Sequence, residues 1–126
     1  MIRFWVNGVP KAQPRPRLNT RTRHVYNPPS ADAWKEQVMW HARAARIPKM
    51  SGPIQVTLSF ALGGKESLNG RPHSSKPDSD NLMKAILDSL TTIGAWGDDS
   101  QVFDCRVIKR YGNPSGVLVT LEEVYV

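Results

Sequence analysis

The stretch from Ile54 to Lys109 constrains the fold more than any other part of the chain. Ile54-Gln55-Val56-Thr57-Leu58-Ser59-Phe60 alternates strictly between apolar and polar residues, which is the period of a half-buried strand. From about Ser79 the pattern turns helical. Leu82, Met83, Ile86, Leu87, Leu90 and Ile93 fall on one side at roughly 100° per residue, and Gly94 follows as the C-cap. Alternation resumes between Gln101 and Lys109, with Val102, Asp104, Arg106 and Ile108 against Phe103, Cys105, Val107 and Lys109. Strand 54–60, helix 80–93 and strand 101–109 therefore read as a β-α-β unit, which crosses over right-handed.

The flanking segments add two or three strands and one helix. Ile2-Arg3-Phe4-Trp5-Val6 is β-prone and ends at Asn7-Gly8 and Pro10. Asn27-Pro28-Pro29-Ser30 reads as turn and N-cap, and Ala31 to about Arg46 as a helix with Trp34, Val38, His41, Ala42 and Ala45 along one stripe. Trp34 and Trp40 beside alanines point to core or subunit packing, with base stacking as the alternative. Asn113-Pro114-Ser115-Gly116 is a hairpin-like turn, and Val117 to Val126 is the last strand. The expected fold is mixed α/β (α+β) in the order β-α-β-α-β-β, a small mixed sheet of about four to five strands packed with two main helices. At 126 residues the chain reads as a single domain, 1–126.

Charge is distributed unevenly along this scaffold. Lys and Arg number 17 against 11 Asp and Glu, a net charge of +6, which calls for a polyanionic partner. Yet six of the seven aspartates fall between Asp78 and Asp104. Carboxylates gathered on a basic chain suggest a hard-metal site facing a polyanion. Mg²⁺ suits such a site, because it takes one or two carboxylates and keeps waters or phosphates in its other positions. Asp80, Lys84 and Asp88, spaced i, i+4, i+8, share the helix face opposite the apolar one, with Asp78 just before them and Asp98-Asp99 after the same helix. Capping competes with this reading for Asp78 or Asp80 alone, and an Asp–Lys pair one turn apart contributes only about 0.2–0.5 kcal/mol.

The basic residues concentrate elsewhere. Residues 1–30 carry six Lys and Arg and no acidic residue. Within the arm 10–29, prolines hold Lys11, Arg15, Arg17, Arg21 and Arg23 in an extended row that suits phosphate oxygens, although charge runs are often only solvated loops. The polar, turn-rich loop 63–77 delivers Arg71, His73 and Lys76 to Asp78. His73 is a candidate general acid or base there, against the ordinary account of a solvent loop. The single Cys105 excludes an intramolecular disulfide and a zinc cluster and reads as a buried strand residue. No run reaches transmembrane length and no signal peptide is apparent, so the expectation is a cytoplasmic protein with no membrane partner.

These residues resemble, over essentially the whole chain, the RusA family of Holliday-junction resolvases, small phage- and prophage-associated endodeoxyribonucleases. The resemblance rests on Asp78-x-Asp80-Asn81-Leu82-x-Lys84, then Asp88, then Gly94-x-Trp96-x-Asp98-Asp99-x-Gln101-Val102, supported by Pro10-Lys11-Ala12-Gln13-Pro14-Arg15-Pro16-Arg17. The long loop 63–77 departs from the pattern. The resemblance implies a homodimer that cuts four-way DNA junctions by paired nicks using Mg²⁺, with Mn²⁺ as a substitute. It aligns Asp78, Asp80 and Asp99 with the catalytic, metal-holding acids and Lys84 with the catalytic lysine, Asp98 being the ligand if the register shifts by one. Lys11, Arg15, Arg17, Arg21, Arg23, Arg71, Lys76 and Arg110 would grip phosphates. A less selective Mg²⁺ nuclease of branched or duplex DNA and a non-catalytic nucleic-acid-binding protein are the competing readings.

Overall fold

The computed structural model describes residues 1–26 and 29–124. The β-α-β unit is present: β4 (Ile54–Leu62) and β5 (Val102–Tyr111) pair in parallel, and α2 (Ser79–Thr92) joins them. β1 (Ile2–Asn7) and β6 (Gly116–Glu123) complete a four-stranded mixed sheet in the order β1-β6-β4-β5. α1 (Asp32–Ala44) precedes β4 and packs against both α2 and β1.

Burial follows the two periods. Ile54, Val56, Leu58, Phe60 and Leu62 of β4 are buried while the residues between them are half-buried. Val117, Val119 and Leu121 of β6 close the same layer from the neighbouring strand. Leu82, Ile86 and Leu90 of α2 meet them at 0% exposure, with Val38 of α1 and Trp96 completing the cluster. Full burial of such side chains contributes about 1.5–3 kcal/mol each, so this single layer accounts for the helices docking on one sheet face.

Several expectations change. The turn at Asn113–Gly116 does not form a hairpin. β5 and β6 lie on opposite sides of β4, and the connection steps over the end of β4, where Gly112 N–H donates to Leu62 O at 3.0 Å. Two strand spacings are about 9.6 Å, within reach of the linking residues. The placement is favourable because β6 buries every other residue deeply and gains from a central position, whereas β5 is only partly covered. β6 ends at Glu123; the strand expected to reach Val126 has Tyr125 and Val126 outside the described residues.

Phe103 does not alternate with Cys105 and Val107. Ile54 pairs with Val102 and Gln55 with Asp104, so Phe103 is the extra residue of a bulge and is 58% exposed. Trp34 and Trp40 also part company. Trp34 is in the core, whereas Trp40, about 240° further round the helix, is 63% exposed and edge-on to the His41 ring at 4.9 Å. The basic arm is not wholly extended. Arg17–Leu18 (β2) and Val25–Tyr26 (β3) pair antiparallel, and the loop between them is closed by Asn19 Oδ1 accepting the N–H groups of Arg21 and Thr22. Of the expected turn and cap at 27–30, Asn27 and Pro28 lie outside the described residues, and Pro29–Ala31 is a 3-10 turn. Among the described residues no helix is long and apolar enough to cross a membrane.

Candidate active site

α2 begins where the sequence places it. Asp78 sits at the N-cap in extended geometry, φ −70° and ψ 142°, but its side chain makes no capping hydrogen bond. The capping account of this aspartate therefore does not hold. Its carboxylate is exposed, with Lys76 Nζ at 3.7 Å. Asp80 follows in the first turn, also exposed, and its Oδ1 accepts only the adjacent Asn81 N–H at 2.9 Å. Two accessible carboxylates thus project from one helix N-terminus. Lys84, Asp88 and Asp80 do share the outer face, but Lys84 reaches Asp88 (3.7 Å) rather than Asp80, and Lys35 of α1 approaches the same Asp88 at 3.8 Å.

Three further contacts hold this helix start in place. Lys109 Nζ donates to Ser75 O at 2.7 Å and Pro77 O at 2.6 Å, fixing the approach to Asp78 from β5. Gln13 N–H donates to Asn81 O at 2.9 Å, which ties the basic arm to the first turn of α2. Lys35 Nζ donates to Gln13 Oε1 at 2.8 Å, so α1 braces the arm in turn. Between arm and loop lies a cleft of about 320 Å³ whose lining includes Lys11, Ala12, His73, Lys76 and Pro77. His73 packs on Tyr111 with ring centroids 4.6 Å apart, and its Nδ1 is buried with no hydrogen-bond partner among the described residues. Arg15, Arg17, Arg21, Arg23 and Arg71 are all exposed; Arg110 is exposed too and donates to Gly70 O at 3.1 Å.

The second acidic pair is elsewhere. Asp98 caps the 3-10 turn Asp99–Gln101 just before β5, at the end of the sheet where Ile54 pairs with Val102. Gln101 anchors that turn by donating to Met50 O and Gly52 O, both at 3.1 Å. Ser100 Oγ donates to Asp98 Oδ2 at 2.9 Å, and these hydrogen bonds from Ser100 hold the Asp98 carboxyl below its usual range. The 14 residues of α2, rising about 1.5 Å each, put about 20 Å between Asp78-Asp80 and this turn. Accordingly, no group of three or more His, Cys, Asp or Glu in metal-holding proximity occurs among the described residues. One chain brings Asp78, Asp80, Lys76 and the arm together; it does not bring Asp99 to them.

The donor chemistry at Asp78 and Asp80 suits Mg²⁺: two hard, anionic, solvent-facing carboxylates, with space for water or phosphate oxygens. Cys105 offers no such chemistry, since burial, with Asp104 adding to it, pushes its thiol up to about 11. Lys109 and Lys35 were not singled out by sequence reasoning, and Gln13 entered only as part of the arm motif. Lys109 did leave a signal, a charged residue on the side of β5 that carries Cys105 and Val107. The Gln13–Lys35 contact left none, because it joins segments 22 positions apart.

Comparison with known proteins decides the family. The profile described as Endodeoxyribonuclease RusA matches residues 7–122. The chain belongs to the RusA endodeoxyribonuclease family. It is 31% identical over 139 aligned positions to the protein YqaN of Bacillus subtilis (strain 168), covering 98% of this chain and 96% of that one. Over 54 residues it is 53% identical to proteins named crossover junction endodeoxyribonuclease RusA from Escherichia coli (strain K12) and from Enterobacteria phage 82. That aligned part is 42% of this chain and 45% of each of those RusA proteins.

Proposed function

We propose that this RusA-family chain is a Mg²⁺-dependent endodeoxyribonuclease that cuts four-way DNA junctions by paired nicks, acting as a homodimer. The observation that carries the proposal is the helix start at Asp78 and Asp80. Two unburied carboxylates project there, Asp78 lies 3.7 Å from Lys76 of the Lys11–Lys76 cleft, and the backbone of Asn81 next to Asp80 is tied to the basic arm, on a chain of net charge +6. The names of the Escherichia coli and phage 82 relatives supply the substrate class.

Asp78 and Asp80 would hold the ion, with Asp99 of the partner subunit as the third carboxylate. Asp99 is preferred over Asp98 because Asp98 is engaged by Ser100. Held there, Mg²⁺ would supply Lewis-acid chemistry for phosphodiester hydrolysis. Lys84, one turn beyond Asp80 and 59% exposed at its side chain, would swing from Asp88 to meet the negative charge that builds on the scissile phosphate. Lys11, Arg15, Arg17, Arg21, Arg23, Arg71 and Lys76 would grip flanking phosphates, and Lys109 would fix the Asp78 backbone while they do so. The products would carry 5′-phosphate and 3′-hydroxyl ends.

Complementation between subunits tests the shared site. Asp80→Asn and Asp99→Asn should each abolish cleavage as homodimers. Mixed and re-equilibrated, they should recover nicking of one strand, because one of the two sites in each heterodimer is then intact. Absence of any recovery, with heterodimers shown to form, would contradict a site built from both subunits.

A further inference from the structure

Three clefts share their walls on the side of the molecule where the candidate site opens. The cleft between arm and loop, lined by Lys11, His73 and Lys76, also takes in Val9. Val9 and Lys11 line a second cleft of about 320 Å³, whose further wall holds Asn7 and Gln37. Asn7 and Gln37 in turn line a third, of about 550 Å³, which ends at Trp40, His41 and Arg43. The topology accounts for this continuity. Asn7 pairs with Gly116 and Gly116 with Ala61, so the end of β1 lies at the end of the sheet from which loop 63–77 leaves β4 toward Asp78. A chain of clefts therefore leads from Lys76 and Lys11, past Asn7, to the outer face of α1.

At the far end Trp40 stands exposed and held in place. Ala33, Gln37, Trp40 and His41 are spaced i, i+4, i+7, i+8, so they share one stripe of α1. Gln37 Nε2 donates to Asn7 O at 3.2 Å and lies 3.2 Å from His41 Nε2, which links β1 to the His41 ring. That ring meets Trp40 edge-on, 4.9 Å between centroids, in the T-shaped geometry that aromatic pairs prefer. The indole is steadied from one side and open to solvent on the rest. Its surroundings are polar: Glu36, Gln37, His41 and Arg43. An apolar protein face matches that lining poorly, and the Glu36 carboxylate disfavours a phosphate. A nucleobase matches it, with a π-face for the indole and hydrogen-bonding edges for the polar rim.

We infer that Trp40 stacks an unpaired base of the DNA substrate, with Arg43 at the adjoining backbone. This rests on the proposed function and deepens it by assigning a subsite for the same substrate. A base reaches the indole only with its face free, which the interior of a duplex does not offer and a branch point, where strands part, does. Phosphates of the same strand would follow the clefts past Lys11 toward Lys76 and Asp78. Stacking tolerates any sequence, because every base has a π-face. Trp40 therefore separates branched from unbranched DNA without reading which base it holds.

Fluorescence anisotropy of a labelled four-way junction and of linear duplex of the same sequence tests the subsite, in EDTA so that neither is cut. Trp40→Ala should weaken junction binding about tenfold and leave duplex binding as in the wild type. The salt dependence should also stay as it was, since no phosphate contact is lost. Trp40→Phe should recover most of the loss, because its ring still stacks. An abasic nucleotide scanned through the strands at the crossover should, at one position, weaken binding by the wild type and not by Trp40→Ala. Trp40 is exposed, so both variants should melt as the wild type does by circular dichroism. Junction binding unchanged in Trp40→Ala, or equal losses on junction and duplex, would overturn the subsite. So would a changed oligomeric state of Trp40→Ala in sedimentation velocity, which assigns the indole to protein packing. Cleavage in Mg²⁺ is scored separately. A wild type that cuts junctions while Trp40→Ala binds and cuts equally well removes the subsite and leaves the nuclease; a protein with the expected binding pattern that never cuts does the reverse.

Discussion

At the scale of single residues, the candidate site is positioned by a group behind it. Lys109 is half-buried and directs its amine to two backbone carbonyls in the turn before Asp78. Lys109→Met keeps the length and loses both bonds. The expected result is a stability loss of about 1–3 kcal/mol and a much larger loss of cleavage, about 10²-fold, because the Asp78 backbone is released. Thermal melts and cleavage rates on the same preparation check this; equal, small losses in both would assign Lys109 to packing alone. The placement of Asp78 and Asp80 at a helix start was legible in the sequence, since two aspartates there on a basic chain already stand out. What the sequence left open was whether Asp78 caps the helix, and its uncapped side chain answers that.

At the scale of elements, α2 serves both the core and the site. Leu82, Ile86 and Leu90 are fully buried on one face while Asp80, Lys84 and Asp88 occupy the other. Leu90→Ala should cost about 2–5 kcal/mol, measured by denaturant unfolding, with cleavage per folded molecule little changed, since Leu90 lies far along the helix from Asp80. A cost under half a unit would mean that the helix is held by something other than this face. The strands and helices were legible because strict period-2 and period-3.6 patterns leave little freedom. Their order was not. Alternation in β6 says that it is half-buried but not which strands flank it, so a turn at Asn113–Gly116 suggested a hairpin where the chain instead passes over β4. The bulge at Phe103 was equally silent, because one unpaired residue leaves the apolar pattern on both sides of it intact.

At the scale of the whole molecule, positive charge and acidic chemistry are separated. The arm and loop carry most of the exposed cations, and the acidic pairs lie at the start of α2 and in the turn beyond its end. The resemblance implies Asp99 as a member of the constellation; a 14-residue helix keeps it away from Asp78 and Asp80 within one chain, which is why the proposed site draws on a second subunit. If Lys11, Arg15, Arg17, Arg71 and Lys76 track phosphates, affinity for DNA should fall about 10³–10⁵-fold between about 50 and 200 mM salt. Salt-independent binding would contradict a phosphate-gripping arm. Preference for a junction over plain duplex would arise from the spacing of two sites and the shape of the bent substrate rather than from reading base edges.

The measurement that bears most directly on the account is a gel assay of the purified protein on a synthetic four-way junction and on linear duplex of the same sequence. It is run with Mg²⁺ and with EDTA, for the wild type and for Asp80→Asn. The account predicts symmetric paired nicks in the junction alone, only with Mg²⁺, and none from Asp80→Asn, which still binds the junction. Binding without nicking in Mg²⁺ by the wild type, or equal cutting of junction and duplex, would contradict it.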